Sequence, residues 1–192
     1  MIVSVVTKIA ATNPNIPTLS GNGLTWTQVA TLLQTGDQRV RTTVFRALSL
    51  SAITPGAVTA DFSGQSQDDG VINISEFGNV VTTGTNGADA IIQTATSIVG
   101  GVNPSVSLSA FARQTNATFG VIGSLSLGTS YSSNIAQLFT RVASETVVQG
   151  HFQDTPNTTI NWTQSPSTYP TAVLAMEING SISGGGSILA LL

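Results

Sequence analysis

The chain has 192 residues, a net charge of −3 and no cysteine, and charged residues make up only 8% of it. Soluble domains usually contain about 25% charged residues, so serine, threonine, asparagine and glutamine must supply most of the polar surface here. This composition argues against a basic nucleic-acid-binding protein, a charge-rich helical bundle, a disulfide scaffold and a cysteine-ligated zinc site.

The length fits one domain of the larger all-β kind. No apolar run approaches the roughly 20 residues that a membrane-spanning helix needs, so we expect no membrane partner. The segment from Met1 to Lys8 has no basic region ahead of its apolar residues, which argues against a secretion signal. We therefore expect a protein that is made in a cytoplasm.

Alternating apolar and polar residues predict β-strands along most of the chain. In segment 118–127, for example, Phe119 and Val121 lie on one face and Thr118 and Ser124 on the other, as a half-buried strand requires. In chain order, the predicted strands are 2–7, 24–33, 39–49, 57–62, 70–77, 104–111, 118–127, 145–152 and 172–178.

Turn sequences such as Asn13-Pro14, Pro55-Gly56 and Asn86-Gly87 separate the predicted strands at fairly regular intervals. Eight to ten short strands with this spacing predict an all-β fold, an antiparallel β-sandwich with a jelly-roll-like arrangement. Two other segments, 86–97 and 133–140, are interpreted as loops that can contain a helical turn.

The last residues of the chain differ from the rest. Residues 1–180 are predicted to form a single sandwich domain, and residues 181–192 form a tail with a glycine hinge at Gly184–Gly186. A free apolar tail promotes aggregation, so this one should dock, either as an edge strand of its own sheet or on a neighbouring subunit. The side chains predicted to dock are Ile188, Leu189, Leu191 and Leu192.

No set of residues predicts catalysis, a cofactor or a metal site, so we do not expect an enzyme. His151 is the only histidine, and hydroxyl groups are so abundant that a Ser-His-Asp match around it carries no information. Asp68-Asp69-Gly70 is interpreted as a turn rather than a calcium site. Glu76 and Glu177 lie in strand-like segments, where we expect buried ion pairs. Their expected partners are Arg39, Arg41 or Arg46.

Aromatic residues make up only 6% of the chain, which limits the surfaces that can stack on a sugar. Trp26 and Trp162 occur in two similar strand-like fragments, and we interpret each as an anchor of the core. Tyr169 lies in a proline-containing segment that we expect to be an exposed loop. It is a candidate for contact with a glycan, and Trp162 is a second candidate if it is exposed.

Five segments have a further feature in common; they are 23–30, 41–47, 76–77, 85–91 and 172–178. Together they resemble a family of β-sandwich proteins encoded by tailed bacteriophages and related prophages. The resemblance spans about residues 18–180, and its motifs are structural rather than catalytic. Members of that family are mostly virion-associated or uncharacterised, so the resemblance implies a virion structural role and carries over no active-site residue.

The resemblance and the composition together predict a bacteriophage virion structural protein, specifically a capsid decoration or cement protein. Its expected partners are other virion proteins of the capsid lattice or the tail and further copies of itself, with no nucleic acid. Its expected location is the virion. The alternative is a tail- or fibre-associated module that binds a receptor or glycan, and a hydrolase that uses His151 ranks third.

Overall fold

The computed structural model describes residues 1–36, 38–53, 56–125, 129–165, 169–181 and 187–191. In this part of the chain the regular elements are β-strands, apart from one short 3-10 turn at Ala88–Ala90. The strands are β1 (Ile2–Ile9), β2 (Thr18–Gly21), β3 (Thr27–Gln34), β4 (Arg39–Arg46), β5 (Val58–Asp61), β6 (Asp69–Gly78), β7 (Ile91–Val99), β8 (Ser105–Ser107), β9 (Ala117–Leu125), β10 (Ser130–Ser133), β11 (Ala136–Val142), β12 (Thr146–Gln153), β13 (Thr159–Ser165), β14 (Thr171–Ile178) and β15 (Leu189–Leu191).

The strands pair antiparallel in three sheets and one two-stranded ribbon. The first sheet has the order β15-β6-β1-β4-β3, the central sheet has the order β11-β12-β9-β14-β7, and the third sheet has the order β10-β13-β8. The ribbon consists of β2 and β5. This arrangement confirms the predicted all-β antiparallel sandwich, and the jelly-roll-like arrangement stays a prediction.

The first and central sheets enclose the larger apolar core, which we call the inner cluster. Its buried residues come from β1, β3, β4 and β6 on one side and from β9, β11, β12 and β14 on the other. Phe77 and Phe119 meet there edge to face, with ring centroids 5.2 Å apart, and Phe152 lies on the other side of Phe77 at 5.7 Å. Such aromatic pairs add to the stabilisation that burial itself provides.

The opposite face of the central sheet is covered by the third sheet, and the residues between them form the outer cluster. Trp162 and Ile160 from β13 are its largest buried members from the third sheet, and Ile122 and Val173 face them from the central sheet. A third, smaller cluster lies on the far side of the first sheet. There, the ribbon, Trp26 and Phe62 pack on a few residues of β1, β4 and β6.

Burial of the central strands on both faces corrects the prediction that 118–127 is half-buried. All nine residues of β9 are buried, including Thr118 and Ser124 on the face expected to meet solvent. The third sheet covers that face, so threonine and serine side chains bond to nearby carbonyl groups instead of water. Ser124 Oγ, for example, donates to the Pro170 carbonyl at 3.1 Å.

The number of strands in the described residues is fifteen, more than the eight to ten predicted. Segments 86–97 and 133–140, interpreted as loops, contribute to β7, β10 and β11. Five of the additional or shortened strands, β2, β5, β8, β10 and β15, have only three or four residues, which is too short for a clear alternation of residue types. β7 was not predicted because isoleucine on both faces, at Ile91 and Ile92, breaks the alternation of apolar and polar residues.

Candidate functional site

The C-terminal segment, predicted to dock either in cis or in trans, pairs in cis with the first sheet. β15 runs antiparallel to β6, with Leu189 opposite Gly78 and Leu191 opposite Glu76. The segment therefore forms an edge strand of its own sheet, which is the first of the two predicted arrangements. The predicted hinge at Gly184–Gly186 lies outside the described residues.

The four predicted docking residues have different environments. Ile188 is 4% exposed and belongs to the inner cluster, whereas Leu189 is 54% exposed. Leu191 is placed by its backbone pairing, and Leu192 lies outside the described residues. Among the described side chains of this segment, Leu189 is therefore the leucine that a partner can contact while β15 stays paired with β6.

Two hydrogen bonds fix the start of the C-terminal strand. The backbone N–H of Ile188 donates to Asp154 Oδ1 at 2.8 Å, and Asn79 Nδ2 donates to the carbonyl of Ser187 at 2.8 Å. Both anchors come from other strands or loops of the sandwich, so the position of β15 is defined by more than its short ladder. These contacts explain why the segment is ordered despite having only three paired residues.

A groove of about 260 Å³ lies beside this strand, at the end of the sandwich where β1 and β7 begin and β4, β6 and β14 end. Its apolar wall includes Ile2, Phe77 and Ile178, and its polar groups include Arg46 and Glu76. The amino group of Met1 also lines it and donates to the Ala47 carbonyl at 2.9 Å. Burial lowers the pKa of this amino group, and the Glu76 carboxylate opposes that shift in part.

Asn86 connects the segments at the rim of the groove by side-chain hydrogen bonds. It has a left-handed backbone conformation with φ 52°, and the following Gly87 has φ 68°. Its Nδ2 donates to the carbonyl of Thr25 at 2.7 Å, and its Oδ1 accepts from the N–H of Leu48 at 3.1 Å. One side chain therefore connects the segments before β3, after β4 and before β7.

The residues that carry the phage-family resemblance converge on this groove. Asn86 binds the Leu24–Trp26 region, and the groove is lined by members of four of the five resembling segments. These members are Arg46, Ala47, Glu76, Phe77, Asn86, Gly87, Ala90, Ile91 and Ile178. These residues thus build one end of the sandwich.

The two glycan candidates differ in exposure. Trp162 is 1% exposed and stands edge to face with the His151 ring at 5.8 Å, so a sugar cannot stack on it, and that prediction is wrong. It anchors the outer cluster, as the core interpretation predicted. Tyr169 is half-buried and lines a cleft of about 290 Å³ together with Gln34, Gln38 and Pro170.

His151 is buried in the outer cluster, with 1% of its surface exposed. Burial lowers its pKa to about 4, and a backbone contact with Ile135 only partly opposes this shift. Its Nε2 lies 3.3 Å from Gln149 Oε1. The carboxylates close to it in sequence are used elsewhere, since Asp154 binds the Ile188 N–H and Glu145 forms an ion pair with Lys8.

The adjacent aspartates have structural partners. Asp68 Oδ2 accepts from the Ala10 N–H at 2.7 Å, and Asp69 Oδ2 accepts from the Glu145 N–H at 2.6 Å and the Thr146 hydroxyl at 3.0 Å. These bonds connect the start of β6 to the end of β1 and to the start of β12. Across the described ranges, no group of three or more acidic or histidine side chains could hold a metal ion.

The prediction that Glu76 and Glu177 pair with buried arginines is wrong. Glu76 is exposed at the groove. Glu177 is 1% exposed, and its carboxylate accepts from the side-chain amides of Asn116 and Gln93. Neutral amide donors can satisfy a buried carboxylate, and sequence spacing gave no indication that these two would reach it.

Comparisons with known proteins add no relative. The chain matches no protein-family model, no curated protein and no solved structure. In the part of the chain that the structure describes, no helix has the length and apolar character that a membrane crossing requires.

Among the strands that sequence analysis missed is β7, which forms an edge of the central sheet. Six of its nine residues are β-branched, and this enrichment is the signal that could have identified a strand. Ile92 and Ile98 are 47% and 48% exposed. The edge is therefore both apolar and accessible.

Proposed function

We propose that this chain is a structural protein of a tailed-bacteriophage particle, and that it decorates or cements the capsid surface by contacts with neighbouring protein subunits. The resemblance of five segments to virion-associated sandwich proteins supports this placement. The low charge supports contacts that depend on shape and apolar area rather than on long-range attraction.

The observation that carries the proposal is the C-terminal strand. β15 is uncharged and apolar, closes one edge of the first sheet, and leaves Leu189 54% exposed. An exposed leucine at the edge of the sheet offers a neighbouring subunit an apolar contact. We assign this edge as the attachment surface for the particle.

The proposed location on the capsid surface is tested by counting copies of the chain in purified particles with quantitative mass spectrometry. A capsid decoration protein is present in many copies per particle, and a tail-tip component in only a few. Many copies support the proposal. A few copies, or none, overturn the assignment to the capsid surface.

The attachment surface is tested with Leu189→Lys, which puts a charge on an exposed position without removing a buried side chain. We expect strongly reduced occupancy on particles, because a lysine must be desolvated in the contact. Leu50→Lys is the matched control, since Leu50 is 80% exposed elsewhere. Equal occupancy of the two variants contradicts attachment through β15.

A receptor- or glycan-binding module is the second candidate, and one observation favours it. Tyr169 lies at a cleft together with the amide side chains of Gln34 and Gln38, and an aromatic ring beside amides is suited to a sugar. A glycan array with the purified chain tests this candidate. Binding that is lost in Tyr169→Ala supports it, and no binding to any glycan removes it.

A further inference from the structure

The outer side of β7 is an open sheet edge. β7 is the last strand of the central sheet and pairs with β14 alone, and no other backbone hydrogen bond reaches its residues within the described ranges. In an antiparallel strand, alternate residues turn their N–H and C=O groups outward. A nine-residue strand therefore presents several unpaired backbone donors and acceptors on this side.

Open edges of this length are usually protected. Lysine, proline, a bulge or a very short strand prevents another chain from pairing there. The opposite edge of the central sheet, β11, has Arg141 and a register shift within the strand. β7 has no charged residue and no proline. Its ladder with β14 shifts register once, between the pairs Glu177–Gln93 and Ile178–Ile91, and is regular from Gln93 to Val99, so most of this edge lacks such protection.

The sequence of β7 is nearly symmetric about its centre, Ala95. It reads Ile-Ile-Gln-Thr-Ala-Thr-Ser-Ile-Val from Ile91 to Val99. If a second β7 pairs antiparallel with Ala95 opposite Ala95, each residue meets one of matching chemistry. Thr94 then lies opposite Thr96, and Ile92 lies opposite Ile98.

The exposure of the side chains agrees with this register. Directly opposite residues of an antiparallel pair point to the same face of the sheet. Ile92, Thr94, Thr96 and Ile98 are all exposed, and they share one face of β7. A two-fold pairing therefore covers the exposed isoleucines with each other and places threonine hydroxyls side by side.

From this self-complementary edge we infer that β7 is the contact between two copies of this chain, which associate antiparallel about Ala95 so that their central sheets form one continuous sheet. A two-fold axis requires one surface to fit itself, and the near-palindromic order of residues in β7 meets that requirement. The inference goes beyond the proposed function, because it concerns the contact between copies and not the contact with a particle.

The first test measures the mass of the purified chain by light scattering over a range of concentrations. We expect a dimer whose dissociation constant rises about tenfold or more in the double variant Ile92→Lys, Ile98→Lys, because like charges then lie opposite each other. Val142→Lys is the matched control, since Val142 is 60% exposed on β11 at the opposite edge. A monomeric wild-type chain, or equal dissociation constants for the edge variant and the control, overturns the inference.

A charge reversal tests the register. Ile92→Lys combined with Ile98→Glu places lysine opposite glutamate in both halves of the proposed pair, so dimerisation should recover relative to the double-lysine variant. Circular dichroism checks that both variants keep the strand content of the wild-type chain. No recovery in a folded double variant overturns the register about Ala95.

Cross-linking tests the same register without changing charge. The chain has no cysteine, so Thr94→Cys and Thr96→Cys each introduce a single thiol at an exposed position. Opposite residues have Cβ atoms close enough for a disulfide, and diagonal neighbours do not. Oxidation of an equal mixture should therefore yield mixed disulfide dimers, whereas each variant alone should yield few. Efficient cross-linking of either variant alone, or none in the mixture, overturns the register.

Discussion

The two faces of the central sheet show how one set of strands can build two different interiors. On the inner face, β9, β12 and β14 contribute large apolar side chains, such as Phe119 and Leu174, which meet equally large residues of the first sheet. On the outer face the same strands combine apolar residues, such as Ile122, with small or polar ones, including Gly120 and Gln149. The third sheet then supplies the bulk, chiefly Trp162 and Ile160.

The difference shows that small residues can specify a packed interface as strictly as large ones. A Cβ atom at Gly120 would overlap Ile160 Cδ1 and lie 3.1 Å from the Trp162 ring, so the absence of a side chain defines the space for β13. The outer cluster also encloses polar groups. Trp162 Nε1 and Gln164 Oε1 are buried without a hydrogen-bond partner among the described residues. The inner face is therefore mainly apolar, whereas the outer face also buries polar side chains, among them Gln149 and His151.

The largest effect is expected in the inner cluster. Phe119→Ala removes a fully buried ring that packs edge to face against Phe77, and the free energy of unfolding should fall by about 4 kcal/mol. Urea denaturation followed by circular dichroism measures this loss. Leu50→Ala, at an 80% exposed position, should change stability by no more than about 0.5 kcal/mol. Similar values for both variants would contradict the assignment of Phe119 to the main core.

The next effect is a dependence of stability on pH, which arises from His151 in the outer cluster. The folded chain holds His151 neutral down to a pKa of about 4, whereas the unfolded chain takes up a proton near pH 6.5. Stability should therefore decrease as the pH falls from about 6.5 to about 4, by up to about 3 kcal/mol from this group. His151→Gln removes the contribution, so its free energy of unfolding should depend less on pH. Parallel pH profiles for the two proteins would show that His151 is not held neutral.

A smaller loss should follow from filling the space that Gly120 leaves. Gly120→Ala should lower the free energy of unfolding by about 2 kcal/mol, because Ile160 and the Trp162 ring must move. Gly100→Ala is the matched control, since no atom lies within 4 Å of a Cβ at that position. Equal stabilities of the two variants would mean that the third sheet can shift without cost, and the contrast between the faces would fail.

The smallest effect concerns the C-terminal segment, which contributes Ile188 to the inner cluster. Ile188→Val removes one buried methylene group and should cost about 1 kcal/mol in urea denaturation. Ile16→Val makes the same change at a 42% exposed position and should cost much less. If the two substitutions have the same effect, the segment does not pack on its own core in solution.

Much of the fold was predictable, and the failures have common physical causes. Segments with a strong two-residue period, such as 172–178, form strands whose ends lie within one or two residues of the predicted bounds. β7 was missed because its isoleucines occupy both faces, and β10 because four residues are too few for a pattern. The partners of Glu177 were also unpredictable, because Asn116 and Gln93 are far from it in sequence.

By itself, the sequence determined the class of the fold. Residue alternation and β-branched composition act locally, so they specify antiparallel strands whatever the strands later contact. Only the tertiary structure decided whether the polar face of each strand meets water or another part of the protein. Threonine and serine fit water or a protein interior equally well, and here Thr118 and Ser124 of the central sheet are buried and bond to carbonyl groups. The low charge of the chain agrees with this outcome, because charged side chains on those faces could not have been buried without partners.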